Sequence, residues 1–145
     1  MPGSLHLALR TAVAARLLAS PALADGQVKV GKRRPMPQAV NAQIYVDLDE
    51  SAATGAALTS TEWNTRIRVE CVTRDSVTDA DVAADTLMTS VHNRLMAEPT
   101  FSGAAIDTQP LGMAWRPDDE TETGLAACQA LFNVRHRTPR SSIAA

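Results

Sequence analysis

The stretch "EWNTRIRVECVT", residues 62–73, carries the most regular pattern in the chain and predicts the strand around which the fold is built. Alternate side chains from Trp63 to Cys71 suit a buried face. The positions between them are polar: Asn64, Arg66, Arg68 and Glu70. Because successive side chains of a strand point to opposite faces, this alternation predicts a strand of an antiparallel or mixed sheet with one buried face.

A helix is predicted after this strand, from about residue 78 to residue 98. Thr78 is expected as its N-cap, and acidic residues follow in the first turn, where the helix dipole favours negative charge. Pro99 lies just beyond the predicted end. The apolar residues recur every three or four positions in one stripe: Ala84, Leu87, Met88, Val91 and Leu95. One face of this helix is therefore expected to cover the sheet.

Four more segments are predicted as strands of the same sheet. They are a short strand at Val28–Val30, an alternating strand at residues 42–49, a strand interrupted by Pro110 and Gly112, and a final strand at residues 125–137. Residues 50–61 have no periodicity and many small side chains, so they are predicted to be a loop. "PDDETETG", residues 117–124, is predicted to be an acidic hairpin loop.

The first 24 residues allow two interpretations, a secretory signal peptide or the first helix of the domain. "ALAD", residues 22–25, resembles a cleavage site, but Arg16 interrupts the apolar region that a signal needs. The helix interpretation is favoured, with Ser4 as N-cap and Pro21 after the end. Apolar residues lie on two sides of this helix: Leu5, Leu9, Val13 and Leu17 on one side, and Leu7, Ala14 and Leu18 on the other.

The order of these elements predicts an α+β fold. We expect an antiparallel or mixed sheet of four or five strands with two main helices packed on one face. Residues 1–137 are expected to form one domain, and residues 138–145 a flexible C-terminal tail.

Composition excludes several classes of protein. The formal net charge of −2 gives no support for broad nucleic-acid binding, and no run approaches the roughly 20 apolar residues of a membrane span. Cys71 and Cys128 have neither a CxxC partner nor metal-type spacing, so reduced thiols in the core are expected. No metal or cofactor is predicted.

No group of residues predicts catalysis, so the chain is not expected to be an enzyme. His92 is interpreted as a partly buried helix residue, and His136, between Arg135 and Arg137, as a solvated strand end. A Cys71–His92 nucleophile pair has no supporting local motif. The carboxylates of residues 118–122 have few apolar neighbours that would raise a pKa for acid–base work.

The ordered features resemble the tail terminator, or tail-completion, proteins of long-tailed phages and phage-like particles. The likeness covers about residues 5–137 and rests on "ALRTAVAARLLA", on "GKRRPMP" leading into "IYVDLDE", on "EWNTRIRVECVTR", on "VAADTLMTSVHNRLMAEPTFSG" and on "ALFNVRHR" after the acidic hairpin. None of these segments is diagnostic alone, and the family has no catalytic motif. The order and spacing carry the resemblance.

The resemblance implies a structural virion protein at the head-proximal end of the tail, assembled in the host cytoplasm. Such proteins form a homohexameric ring that caps the tail tube protein, joins a neck or head-completion protein, and lets genome DNA pass through its lumen without sequence-specific binding. A ring of this kind needs two complementary patches on each subunit. The candidate contact residues are Leu7, Leu18, Asp47, Asp49, Glu50, Arg66, Arg68, Glu70, Asp118, Asp119, Glu120 and Glu122.

Two alternatives remain open at this stage. One is another neck or head-completion ring protein of the same particle. The other is an exported periplasmic accessory protein, which follows if residues 1–24 are a signal peptide.

Overall fold

The computed structural model describes residues 3–31, 34–76, 78–117 and 124–144. Its elements, in chain order, are helix α1 (Leu5–Leu18), a 3₁₀ turn (Leu23–Gly26), β1 (Val28–Val30), β2 (Ala42–Ala56), β3 (Ser60–Arg74), helix α2 (Ala80–Ala97), β4 (Asp107–Pro117) and β5 (Leu125–Pro139).

The five strands form one mixed sheet in the order β1-β2-β3-β5-β4. β1 runs parallel to β2, and the other neighbouring pairs are antiparallel. Strand β3, the strand of residues 62–73, lies at the centre and pairs along its whole length with β5. The fold is therefore α+β, as the sequence predicts, and the predicted irregularity of β4 is confirmed as a register shift between Pro110 and Gly112.

Both helices pack on one face of the sheet and enclose the larger of two hydrophobic clusters. The sheet side of this core consists of rows of residues that are paired between neighbouring strands. One row contains Ile44 of β2, Cys71 of β3 and Cys128 of β5. The predicted stripe of α2 is confirmed: Ala84, Met88, Val91 and Leu95 are buried, and Leu87 is half-buried against them. Hydrophobic burial on this face is the main force that holds the helices to the sheet.

Helix α1 belongs to the core. The Ser4 hydroxyl accepts a hydrogen bond from the Leu7 backbone N–H, which confirms the predicted N-cap. Leu9, Val13 and Leu17 are buried, and this burial favours the helix interpretation over the signal peptide. At the other end, Arg94 of α2 donates to the backbone carbonyls of Leu17 and Ala19, so it satisfies acceptors that the end of α1 leaves free.

Helix α2 begins one residue later than predicted. Asp79, not Thr78, is the N-cap residue, and its side chain makes no capping hydrogen bond. Instead, the Asp75 carboxylate accepts from the Ala80 N–H at 2.7 Å, and the Thr73 hydroxyl donates to the Ala80 carbonyl. Asp75, the residue after β3, therefore supplies the cap, a contact that the predicted N-cap at Thr78 does not indicate.

The predicted loop at residues 50–61 is wrong. β2 continues to Ala56 and β3 begins at Ser60, so the two strands form a long hairpin that turns at residues 57–59. Residues 51–59 are exposed, and Leu58 at the tip is 87% exposed. Because neither face of this part of β2 is buried in the chain, its side chains need no alternation, and the usual sequence signal of a strand is missing.

The end of β5 also differs from its predicted boundary. β5 runs through Thr138, which is buried, to Pro139, so the first two residues of the predicted tail lie in the sheet. Beyond the strand, the Ile143 carbonyl accepts from the Leu5 N–H at 2.8 Å, and Ala144 forms a bridge with Ser4. These contacts tie the C-terminal residues to the start of α1.

Cys71 and Cys128 face each other across β3 and β5, unbonded and fully buried, as predicted. Burial, with a smaller contribution from the Asp85 charge, raises the pKa of Cys128 to about 11, and burial raises the pKa of Cys71 further. Because the thiolate is the reactive form, a thiol reagent at pH 8 is expected to label neither cysteine until the protein unfolds. Mass spectrometry with and without denaturant measures this, and rapid labelling of native Cys71 would contradict its burial.

Candidate functional site

An exposed stripe on α1 is the clearest candidate contact surface. Leu7 and Leu18 are 40% and 42% exposed, and the positions between them on the same side are exposed as well. We call this surface the leucine stripe: Leu7, Thr11, Ala15 and Leu18. Ala14 was predicted on this side, but it is buried in the core. The stripe is thus separate from the core-facing side of α1, and it leaves two large leucine side chains in water.

Several of the predicted charged residues of β2 and β3 form ion pairs within the chain. The Arg66 guanidinium lies 3.6 Å from the Asp49 carboxylate and 3.1 Å from that of Glu50. Asp47 lies opposite Arg68 in the strand register and accepts from Arg10 of α1 at 3.1 Å. Glu70 lies opposite Tyr45 on β2. The sequence suggested two separate complementary patches, whereas the structure joins the two groups into one face of mixed charge.

Such pairs contribute little to stability, because exposed salt bridges are worth about 0–1 kcal/mol. At an interface between two proteins, charged groups of this kind determine alignment and choice of partner more than binding affinity. The remaining predicted contact residues, Asp118, Asp119, Glu120 and Glu122, lie outside the described residues.

A network of polar side chains lies where the start of α1 meets the β2–β3 hairpin. His6 Nε2 is 3.0 Å from Ser51 Oγ, which is 2.8 Å from Thr65 Oγ1. Thr65 Oγ1 is in turn 2.6 Å from His136 Nε2. The two imidazole rings are 4.9 Å apart, edge to face. We call these four residues the histidine latch, because they connect α1, β2, β3 and β5.

The prediction that His136 lies at a solvated strand end is wrong, since the side chain is 2% exposed. Burial lowers the pKa of His136 to about 4, with a smaller contribution from His6, and burial also lowers the pKa of His6. Arg135 and Arg137 on either side of His136 point to the opposite face, where both pair with Glu62. Strand alternation could have indicated this, because His136 is in phase with the buried Phe132 and Val134.

Strand β4, at one edge of the sheet, presents a second set of exposed apolar side chains that the sequence did not reveal. Leu111, Met113 and Trp115 are all at least 40% exposed. Trp115 Nε1 donates to the Asp85 carboxylate at 2.9 Å, which fixes the indole beside α2. In the sequence these residues have the spacing of a buried strand face, so only the position of β4 at the sheet edge shows that they are exposed.

The described residues contain no group of three or more histidine, cysteine or acidic side chains placed to hold a metal ion. His92 is half-buried, with its ring 6.3 Å from that of Phe132, in agreement with its predicted environment. Burial raises the pKa of Cys71, whereas a nucleophilic cysteine needs a lowered one. Within the described part of the chain, neither helix has the length and apolar character of a membrane span.

Comparison with known proteins identifies a shared fold. No protein-family model and no curated protein sequence matches the chain. A chain of the solved structure "Virion of native gene transfer agent (GTA) particle" superimposes with a TM-score of 0.66 at 18% identity, over 90% of this chain and 95% of that one. Another solved protein aligns over 88% of this chain and 91% of its own at 14% identity, with a TM-score of only 0.47.

Proposed function

We propose that the chain is a structural protein of a phage-like virion and, more specifically, its tail terminator. The observation that carries the proposal is the fold likeness to a chain of a gene transfer agent virion, which spans nearly the whole length of both chains. The ordered sequence features that resemble tail terminator proteins give separate support. At 18% identity the likeness concerns the fold, and the role is our inference from it.

The proposed protein forms a homohexameric ring on the end of the tail tube. The leucine stripe supports this role. A monomer needs only one apolar side of α1 to pack against its core, whereas in a ring a neighbouring subunit covers the second apolar side. The mixed-charge face of β2 and β3 is assigned to setting the register between neighbours. Contact through two different surfaces gives a head-to-tail arrangement, which closes into a ring.

The partners follow from this position in the virion. The tail tube protein contacts one side of the ring, and a neck or head-completion protein contacts the other. The acidic residues Asp118, Asp119, Glu120 and Glu122 are assigned either to one of these contacts or to the lumen, where their charge would repel DNA. Genome DNA passes through the lumen without sequence-specific binding, and assembly takes place in the host cytoplasm.

Deletion of the gene from the particle-producing cell tests the proposal. Without a terminator, tube polymerisation has no stop and the joining surface is missing. We expect tails that exceed the normal length or tails without heads in negative-stain electron micrographs, and expression of the intact chain from a plasmid restores normal particles. Normal-length tails joined to heads in the deletion strain would overturn the assignment.

The same experiment separates the closest alternative, another neck or head-completion protein of the particle. Loss of such a protein leaves tails of normal length that fail to join heads, because tube growth still stops at its usual point. Tail length thus distinguishes the two roles, whereas failure of head joining is common to both.

A further inference from the structure

The histidine latch holds a part of α1 that has few other attachments. The core contacts of α1 begin at Leu9, whereas Leu5, His6 and Leu7 of the first turn are half-buried or exposed. This turn is tied down by the Leu5 N–H bond to the Ile143 carbonyl, by the Ser4–Ala144 bridge, and by the His6–Ser51 hydrogen bond. Segments with few buried apolar contacts open locally at a lower free energy than the whole protein.

We propose that His6 and His136 make the seating of the first turn of α1 on the β2–β3 hairpin dependent on pH, and thereby control how the leucine stripe is presented to a neighbouring subunit. The latch itself is a property of the single chain. Only its consequence for the stripe rests on the proposed function.

The surroundings of the latch favour neutral imidazoles. The side chains that contact the rings are uncharged: Ser51 from β2, and Trp63 and Thr65 from β3. The remaining titratable group facing each imidazole, among the described residues, is the other imidazole. Two charged residues adjoin the latch along the chain, and both are paired elsewhere. Glu62, next to Trp63, binds Arg135 and Arg137, and Arg10, one turn after His6, binds Asp47. A proton on either ring therefore places an unpaired cation in a buried or half-buried site.

The sign of the pH dependence follows from this arrangement. The pKa of each histidine is lowered in the closed latch relative to its ordinary value near 6.5. The closed latch is therefore fully stable above about pH 6.5, and its stability is lost as the pH falls toward the closed-state values. Each histidine that is released on opening takes up one proton. For each such histidine, the opening constant therefore rises by up to about tenfold for every unit by which the pH falls.

Amide hydrogen exchange by NMR on the full chain measures this opening directly. The Ala8 amide, bonded to the Ser4 carbonyl, and the Leu5 amide, bonded to the Ile143 carbonyl, report opening of the first turn. The amide of Val69 in the central strand reports global unfolding. After correction for intrinsic exchange rates, we expect the opening constant of the first turn to rise at least tenfold between pH 6.5 and pH 5. The Val69 amide is expected to respond much less.

Two variants make the test specific. His6→Gln keeps a side chain that can hydrogen-bond to Ser51 but does not titrate. Opening of the first turn should then take up about one proton fewer, so the opening constant should rise about tenfold less per pH unit than in the unsubstituted protein. His92→Gln removes a histidine outside the latch and should leave that dependence unchanged. His136 is not needed as a variant, because its burial makes substitution a risk to folding.

Three outcomes would overturn the proposal. They are a first-turn opening constant that does not change with pH, an unchanged pH dependence in His6→Gln, and identical responses of the Val69 and Ala8 amides, which would mean that acid unfolds the whole protein. None of these measurements involves tails or particles. Amide exchange can therefore disprove the pH dependence of the latch without bearing on the tail-terminator role, which is tested by tail length.

Discussion

The double variant Leu7→Asp/Leu18→Asp is expected to remain a folded monomer that cannot close the ring, and its particles should have over-long or unjoined tails. Both leucines are about 40% exposed in the single chain, so their replacement leaves the core intact. A negative charge at position 18, in the last turn of α1, costs only about 0.3–1 kcal/mol through the helix dipole. Burying an unpaired carboxylate at a subunit contact costs several kcal/mol. Each 1.4 kcal/mol lowers the affinity about tenfold, so we expect association of the variant subunits to be at least ~100-fold weaker.

Sedimentation of the variant with purified tail tubes measures the association, and electron microscopy measures tail length. Val82→Asp is the matched control, because Val82 is 52% exposed on the other helix and an acidic residue suits its place in the first turn of α2. The control should behave as the unsubstituted protein does. Normal-length, head-joined tails from the double variant would show that the leucine stripe is not a ring contact. If deletion of the gene nevertheless gives over-long tails, the terminator assignment stands without this surface.

Truncation of Phe132 is expected to cause the largest loss of stability. Phe132 is 1% exposed on β5, where it lies between Ile67 of β3 and Pro110 of β4 in the register of the sheet. Its ring lies 6.3 Å from that of His92 on α2, within the core that the helices cover. Phe→Ala at a buried site costs about 3–5 kcal/mol through lost transfer energy and the remaining cavity. A large part of the total stability of a domain, about 5–15 kcal/mol, would be lost.

Thermal unfolding followed by circular dichroism measures this effect, and we expect the Tm to fall by roughly 10–15 °C, given a few degrees per kcal/mol for a chain of this size. Leu58→Ala is the matched control, since it truncates a large apolar side chain that is 87% exposed. Its effect should stay within about 0.5 kcal/mol. Equal losses in the two variants would show that the core beneath α2 does not depend on Phe132.

Elements that bury one face were predictable from the sequence. The alternation from Trp63 to Cys71, the stripe of α2 and the Ser4 cap each leave a local pattern, because burial of one face or one side requires apolar residues at a fixed period. The α+β class followed from the order of these elements. The two cysteines were placed correctly in the core because they share the phase of their apolar neighbours.

Features that depend on the relation between distant segments were not predictable. Residues 51–56 form a strand with no apolar alternation, because neither face is buried, and their pairing partner in β3 provides the hydrogen bonds that keep them extended. The cap of α2 comes from Asp75 rather than from Thr78. In both cases the deciding interaction is a hydrogen bond whose partner the local pattern does not identify.

The candidate contact surfaces were likewise predictable from the sequence only in part. The sequence by itself determined that α1 has two apolar sides and that β2 and β3 carry complementary charges. Only the tertiary structure decided that Ala14 belongs to the core, that Arg66 pairs with acidic residues of its own chain, and that His136 is buried against Thr65. The physical reason is that periodicity reports which face of an element is apolar, whereas pairing of charges and burial of polar groups depend on which elements the fold brings into contact.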